Sequence, residues 1–199
     1  MKIEEIPLKG LVLAGGKSRR MQKDKGLLNY HGLPQREFAY RLLETVCDEV
    51  FLSVAKKLPE GAVHMKFLVD FEKGLGPIGA LLTAFEYDPD SAWLVLACDM
   101  PLVGKSNLEE LISKRNPQKP ATAFLGEEGM PEPLFSIWEP NSFAPLKKAK
   151  ESGKLSPRKL LATIGAELAR PSDAGFLANA NTPEDFKNLS ASLGLGGQQ

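Results

Sequence analysis

Leu11, Val12 and Leu13 form an apolar run with no polar interruption, the pattern of a strand buried on both faces. Ala14, Gly15 and Gly16 follow with almost no side chain. Beyond them, apolar runs and amphipathic stretches alternate. Residues 36–47 carry Phe38, Leu42 and Val46 at a spacing of four, which predicts one face of a helix. Residues 49–55 and 66–69 read as strands. Gly76-Pro77 punctuates the chain, and residues 78–87 read as a helix. Residues 92–98 are a continuous apolar strand of the parallel-sheet kind. Ser106-Asn107-Leu108-Glu109 has capping-box spacing and opens a helix expected to reach Arg115. Residues 121–125 and 134–138 read as strands around a Gly/Glu/Pro-rich loop, and residues 142–151 and 157–163 as helices. Thr182-Pro183-Glu184-Asp185 supplies a cap, a first-position proline and first-turn acids for a last helix.

Strands alternating with helices predict βαβ units, hence an α/β fold with a mostly parallel sheet between helical layers. The 199 residues suit one domain, and no linker divides them. Residues 1–189 are expected to form that domain and residues 190–199 a flexible tail. In such folds ligands gather outside the carboxyl ends of the strands. The glycine loop and Asp99 both fall there.

The 25 basic and 25 acidic residues cancel, which argues against general nucleic-acid binding. No apolar run approaches a membrane span, and residues 1–9 lack the apolar stretch of a signal peptide. Cys47 and Cys98 lie far apart in apolar stretches, without metal-ligand spacing, and read as reduced core residues. The expected setting is cytoplasmic.

Against this neutral background, Lys17, Arg19, Arg20, Lys23 and Lys25 put five cations in nine positions, with Asp24 the one anion among them. Bare backbone followed by dense positive charge suits a phosphate-rich ligand. A surface turn with solvated charges would leave those cations repelling one another. Neither the P-loop spacing nor the dinucleotide fingerprint is present. Asp99, after the apolar strand, suits Mg²⁺, which takes one or two carboxylates together with substrate phosphates. An isolated strand-end Asp is as readily a turn former; the basic loop nearby tips the balance towards metal. Asp70 is either a strand-end turn residue or a partner for the nucleoside. Asn179 and Asn181, alone, read as a turn before the last helix, with Asp185 as its cap; otherwise an amide oxygen completes the metal or phosphate shell. His31 and His64 read as surface residues, and no nucleophile–histidine arrangement emerges. Phosphoryl transfer onto another phosphate needs none, because the nucleophile is already ionised.

The run Leu13-Ala14-Gly15-Gly16-Lys17-Ser18-Arg19-Arg20-Met21, ending in Asp24-Lys25, resembles the opening of the molybdenum cofactor guanylyltransferases. Gly76-Pro77, Cys98-Asp99-Met100-Pro101, Pro133-Leu134-Phe135 and residues 179–185 fall in that family's order. The resemblance covers residues 9–189. It implies a Rossmann-like three-layer αβα sandwich of the nucleotide-diphospho-sugar transferase kind. It implies Mg²⁺-dependent transfer of GMP from GTP to Mo-molybdopterin, with release of pyrophosphate. Carried onto this chain, Leu13, Ala14, Gly15 and Gly16 offer backbone to the guanine nucleotide. Arg19 and Lys25 hold the triphosphate and, with Asp99, are the catalytic set. Ser53 and Asp70 reach the nucleoside, Asp99 binds the metal, and Asn179 and Asn181 complete the pocket. Implied protein partners are other molybdenum cofactor assembly proteins and molybdoenzyme chaperones. Gly15, where related cytidylyltransferases carry Ala, favours a purine base.

The chain departs from the family at Gln22, Ala80, Ser53 and Glu132. Glu132 places an anion on the acceptor side. The alternatives are a related nucleotidyltransferase using CTP or another phosphate acceptor, and a catalytically weak nucleotide-binding regulatory module.

Overall fold

A computed structural model describes residues 6–14, 25–56, 61–72, 74–126, 128–180 and 184–185. Its strands are β1 (Leu8–Leu13), β2 (Glu49–Val54), β3 (Phe67–Val69), β4 (Ala92–Ala97), β5 (Ala121–Leu125), β6 (Pro131–Trp138) and β7 (Glu167–Ala169). Its α-helices are α1 (Gln35–Glu44), α2 (Pro77–Tyr87), α3 (Lys105–Ser113), α4 (Phe143–Glu151) and α5 (Pro157–Leu161). The strands form one sheet in the order β3-β2-β1-β4-β6-β5-β7. β1, β2, β3 and β4 are parallel, whereas β6 runs antiparallel to both β4 and β5. β7 pairs parallel to β5. The mostly parallel α/β sandwich read from the sequence is the fold observed.

Alternation along the strands builds the two helical layers. Leu94 and Leu96 face a core completed by Ala39 and Leu43 of α1 and Leu108 and Leu111 of α3. Trp93 and Val95 face the opposite core, filled by Ile78, Leu81 and Phe85 of α2, Leu146 of α4 and Leu161 of α5. Every residue of β4 is buried, as its unbroken apolar run requires. On the first face α1 lies close to β1 because Gly10 has no side chain. A Cβ there would come within 3.1 Å of Leu43 and Val50. Gly76 caps α2 at φ 58°, ψ −143°, a conformation that demands glycine, and Pro77 then starts the helix.

Several expectations are corrected. The buried stripe of α1 is Arg36, Ala39, Tyr40 and Leu43. Phe38, Leu42 and Val46 are half-buried on its flank. Tyr40 decides this rotation: its hydroxyl donates to the Val50 carbonyl at 2.9 Å and accepts the Lys66 N–H at 3.0 Å. α3 is capped at Gly104, not Ser106, and ends at Ser113. Asn107 turns back to accept the Gly104 N–H at 2.9 Å, which draws Lys105 and Ser106 into the first turn. β6 starts at Pro131, inside the loop the prolines marked. Pro131 is the first residue of the strand and Pro133 falls where the pairing with β5 shifts register, both beyond the ladder to β4, which stops at Leu96↔Phe135. β7 was not read from the sequence. Ala80 packs in the α2 core at 3% exposure, so this family departure is a packing residue. The expected tail at 190–199 lies outside the described residues.

At the end of β6 the fully buried Glu139 takes a bidentate pair from Arg115, at 2.7 and 3.0 Å. Arg115 also donates to the Ile6 carbonyl at 3.2 Å. Removing one partner leaves the other charge buried. Glu139→Ala is expected to cost about 3 kcal/mol or more, measured by urea unfolding; a loss near zero would show that water reaches Arg115 in the variant.

Candidate nucleotide-transfer site

The strand order reverses at β1. Its neighbour β2 follows through α1 on one side, and β4 arrives through α2 on the other. Such a switch point opens a crevice at the carboxyl ends of the strands. The register fixes what stands on its rim. Leu13 is level with Ser53 of β2 and Ala97 of β4. The Cys98 N–H donates to the Leu13 carbonyl at 3.3 Å, so Ala14 and Asp99 leave the sheet side by side. On the other flank, the Asp70 N–H donates to the Val54 carbonyl at 2.9 Å. The Ser53 hydroxyl donates to Asp70 Oδ1 at 2.9 Å. Leu13, Ala14, Ser53, Asp70 and Asp99 therefore share one end of the sheet.

The chain's last described turns return to the same place. The Ala180 N–H donates to the Asp99 carbonyl at 2.7 Å, which brings Asn179 alongside. The Asn179 Oδ1 is buried and has no hydrogen-bond partner among the described residues. Gly15, Gly16, Arg19, Gln22 and Asn181 lie outside the described residues, and Lys25 is described by its backbone alone. Glu184 and Asp185 are helical, as expected of the last helix.

Three features were missed by sequence reading. Tyr30 is buried at 1% exposure within electrostatic reach of both Asp99 and Asp185. Burial, reinforced by those two carboxylates, pushes its phenol above the ordinary value, so it stays neutral. His31 is no simple surface residue: its ring stacks on Phe38 at 3.7 Å, and Nε2 lies 2.9 Å from the Pro101 carbonyl. A carbonyl only accepts, so Nε2 carries the proton. The segment after the short 3-10 helix Lys25–Leu27 is thus tied to the Asp99 loop. No sequence signal marks Tyr30 or His31, because the partners Asp99, Pro101 and Asp185 are remote in the chain and are brought up by the fold.

The third feature is a cleft of about 320 Å³ lined by Gly126, Met130, Glu132, Arg158, Gly175 and Ala178, among others. β6 begins at this end of the sheet, and Glu132 lies within electrostatic reach of Asp99. The Glu132 carboxylate accepts the Leu134 N–H at 2.8 Å and Arg158 Nη2 at 3.2 Å. Burial pushes this carboxyl up; the Leu134 N–H and Arg158 pull it back, and the Asp99 charge adds to the rise. The glutamate flagged in the sequence does line a cavity beside Asp99. Its partner Arg158 was legible only as part of a helix.

The donor set fits a magnesium ion bound together with a nucleotide. Among the described residues no cluster of three His, Cys, Asp or Glu side chains could hold a metal unaided. Magnesium is ordinarily held by one or two carboxylates plus substrate phosphates. Asp99 and the buried Oδ1 of Asn179, without a partner among the described residues, suit that arrangement.

A parallel switch point with a carboxylate beside it and a cleft next to it is the place where open α/β folds bind their ligands. Residues 10–170 match the model of the MobA-like NTP transferase domain, and the chain belongs to that family. It is 36% identical over 191 residues to a molybdenum cofactor biosynthesis bifunctional protein of Synechocystis. That match covers 94% of this chain, which spans only 55% of that relative's length. It is 32% identical to a molybdenum cofactor guanylyltransferase of Pseudomonas aeruginosa, over 92% of this chain and 94% of the relative. Its fold matches that of molybdopterin-guanine dinucleotide biosynthesis protein A from Archaeoglobus fulgidus, with a TM-score of 0.76 at 21% identity, covering 94% and 98% of the two chains. Among the described residues no helix is long and apolar enough to cross a membrane.

Burial holds the Asp70 carboxyl above its ordinary value of 3.8, and the Ser53 hydrogen bond offsets this only in part. The folded state then binds the proton more tightly than the unfolded chain. Stability contributed by neutral Asp70 is present below pH 3.8 and is lost as pH rises through the raised folded value. Asp70→Asn, which keeps an acceptor for Ser53, is expected to be more stable than wild type at pH 7, with the gap closing below pH 3.8. Paired urea titrations across pH check this; a pH-independent gap would contradict it.

Proposed function

We propose that the protein transfers GMP from GTP to Mo-molybdopterin, giving the molybdopterin guanine dinucleotide cofactor and pyrophosphate. The observation that carries this reading is the convergence of Leu13, Ala14, Ser53, Asp70 and Asp99 on one rim. A cleft for a second substrate adjoins that rim.

The nucleotide lies across the end of β1. Leu13, Ala14, Gly15 and Gly16 offer backbone groups to it, and Ser53 and Asp70 face its nucleoside. Arg19 and Lys25 hold the triphosphate and absorb charge at the α-phosphate. Asp99 holds Mg²⁺, with Asn179 and Asn181 beside it; the bound ion supplies neutralisation of the phosphate oxygens. The acceptor enters the cleft lined by Glu132 and Arg158. A terminal phosphate oxygen of the pterin attacks the α-phosphorus of GTP. A new P–O bond forms, the bond from the α-phosphorus to the bridging oxygen breaks, and pyrophosphate departs with the electron pair. The nucleophile is already an anion, so no residue need remove a proton; orientation and charge neutralisation supply the rate. A cytoplasmic setting is supported by the free thiols Cys47 and Cys98. Other cofactor-assembly proteins and molybdoenzyme chaperones are the partners this reaction implies.

Pyrophosphate release from GTP, CTP, UTP and ATP with Mo-molybdopterin tests the reading. GTP is expected to be preferred. Asp99→Asn is expected to lower kcat by about a hundredfold or more, with circular dichroism unchanged, because Asp99 stands on the rim and not in either core. A preference for CTP, or wild-type turnover in the variant, would overturn it.

A further inference from the structure

The sequence sets a glutamate where an anionic substrate is to bind, and the structure shows how that conflict is resolved. Glu132 is 5% exposed and each carboxylate oxygen is engaged. Oε1 accepts the Leu134 N–H at 2.8 Å and Oε2 accepts Arg158 Nη2 at 3.2 Å. The Arg158 side chain is 47% exposed and lines the cleft. Both members line the cleft, as does Glu128, but Glu132 is almost wholly covered whereas the Arg158 side chain is open, so the pair shows the cavity chiefly its positive member. A guanidinium has five N–H donors in a rigid fork. One is spent on Glu132, and the others remain on the side chain that meets the cavity.

We propose that Glu132 is a positioning residue for acceptor recognition: it grips Arg158 from behind and presents the guanidinium fork to the phosphate of the incoming acceptor. This rests on the cleft being the acceptor site. It assigns to Glu132 a specificity role that acts through Arg158 and not through contact with substrate. A purely structural glutamate, capping Leu134, would serve the fold and leave substrate affinity alone.

Glu132→Gln separates the two roles. Its single amide oxygen cannot serve both Leu134 and Arg158. The Leu134 bond spans two residues and is the shorter, so it is retained. The amide NH₂ then meets Arg158 donor to donor, and the grip is lost. The expected result is a rise in KM for Mo-molybdopterin of about tenfold, the scale of one charge-assisted hydrogen bond, with KM for GTP and the melting temperature unchanged. In an Arg158→Ala background, Glu132→Gln is expected to have no further effect on acceptor KM. A second readout does not depend on turnover. With Mg²⁺ and GTP present to fill the nucleotide site, inorganic phosphate is titrated while the Arg158 Nε–H resonance is followed by NMR. Wild type is expected to show a saturable shift, and Glu132→Gln to need about ten times more phosphate.

Equal phosphate affinity in wild type and Glu132→Gln would overturn the proposal, as would effects of the two variants that multiply. An enzyme that transfers no GMP to Mo-molybdopterin would instead refute the proposed function, while the phosphate titration would still decide the role of Glu132.

Discussion

β1 is hydrogen-bonded on both sides, to β2 and to β4, with Leu13 level with Ser53 and Ala97. That register is the constraint on which the site depends. Three parallel strands end together, so three segments of backbone must leave the sheet at one level. The crossovers through α1 and α2 pack on opposite faces, so those segments diverge. A crevice between β1 and β4 follows from topology before any side chain is considered. The residues that leave there, Ala14 and Asp99, set a nearly bare backbone on one side and a carboxylate on the other.

The second half of the site comes from the strand that breaks the parallel rule. β6 runs antiparallel to β4, so its beginning, not its end, lies at the ligand side. Glu132 arrives there from the opposite chain direction. Residues 174–180 close the same region, held by the 2.7 Å hydrogen bond from Ala180 to the Asp99 carbonyl. The parallel half of the sheet thus ends at one rim and the antiparallel half at the adjoining cleft, with Asp99 between them. Any displacement of β6 along β4 would move Glu132 away from Asp99, which ties the cleft to the rim.

What could be read in the sequence follows from how local its cause is. β4 was legible because a strand covered on both faces must be apolar throughout. The start of α2 was legible because Gly76-Pro77 fixes the backbone on its own. The buried face of α1 was not, since Tyr40 reaches Val50 and Lys66 across the fold and rotates the helix away from the Phe38-Leu42-Val46 stripe. β7 is three half-buried residues, too short for any period to show. In the candidate site, the placement of Leu13, Ala14, Asp70 and Asp99 was legible because each ends or follows an apolar strand, whereas Ser53 was legible only through the family resemblance. Arg158 was not, because its partner lies 26 residues away and is chosen by sheet register.

The two ends of β6 show why Glu132 reads as functional. Glu139, just past the strand's end, and Glu132, near its start, are both buried, and each is held by an arginine. A buried carboxylate must be compensated, and in both places the compensation is a guanidinium. The resemblance ends with the arginine's surroundings. Arg115 is 13% exposed, binds bidentately and spends a further donor on the Ile6 carbonyl, so its fork is consumed by the fold. Arg158 makes one contact to Glu132 and is open to a cavity. Packing alone would favour the closed arrangement at both ends. Burying Glu132 close to the Asp99 charge, and leaving its partner's fork open, adds cost without adding structure. Such a cost is accounted for when an anion completes the guanidinium's shell from the cleft side.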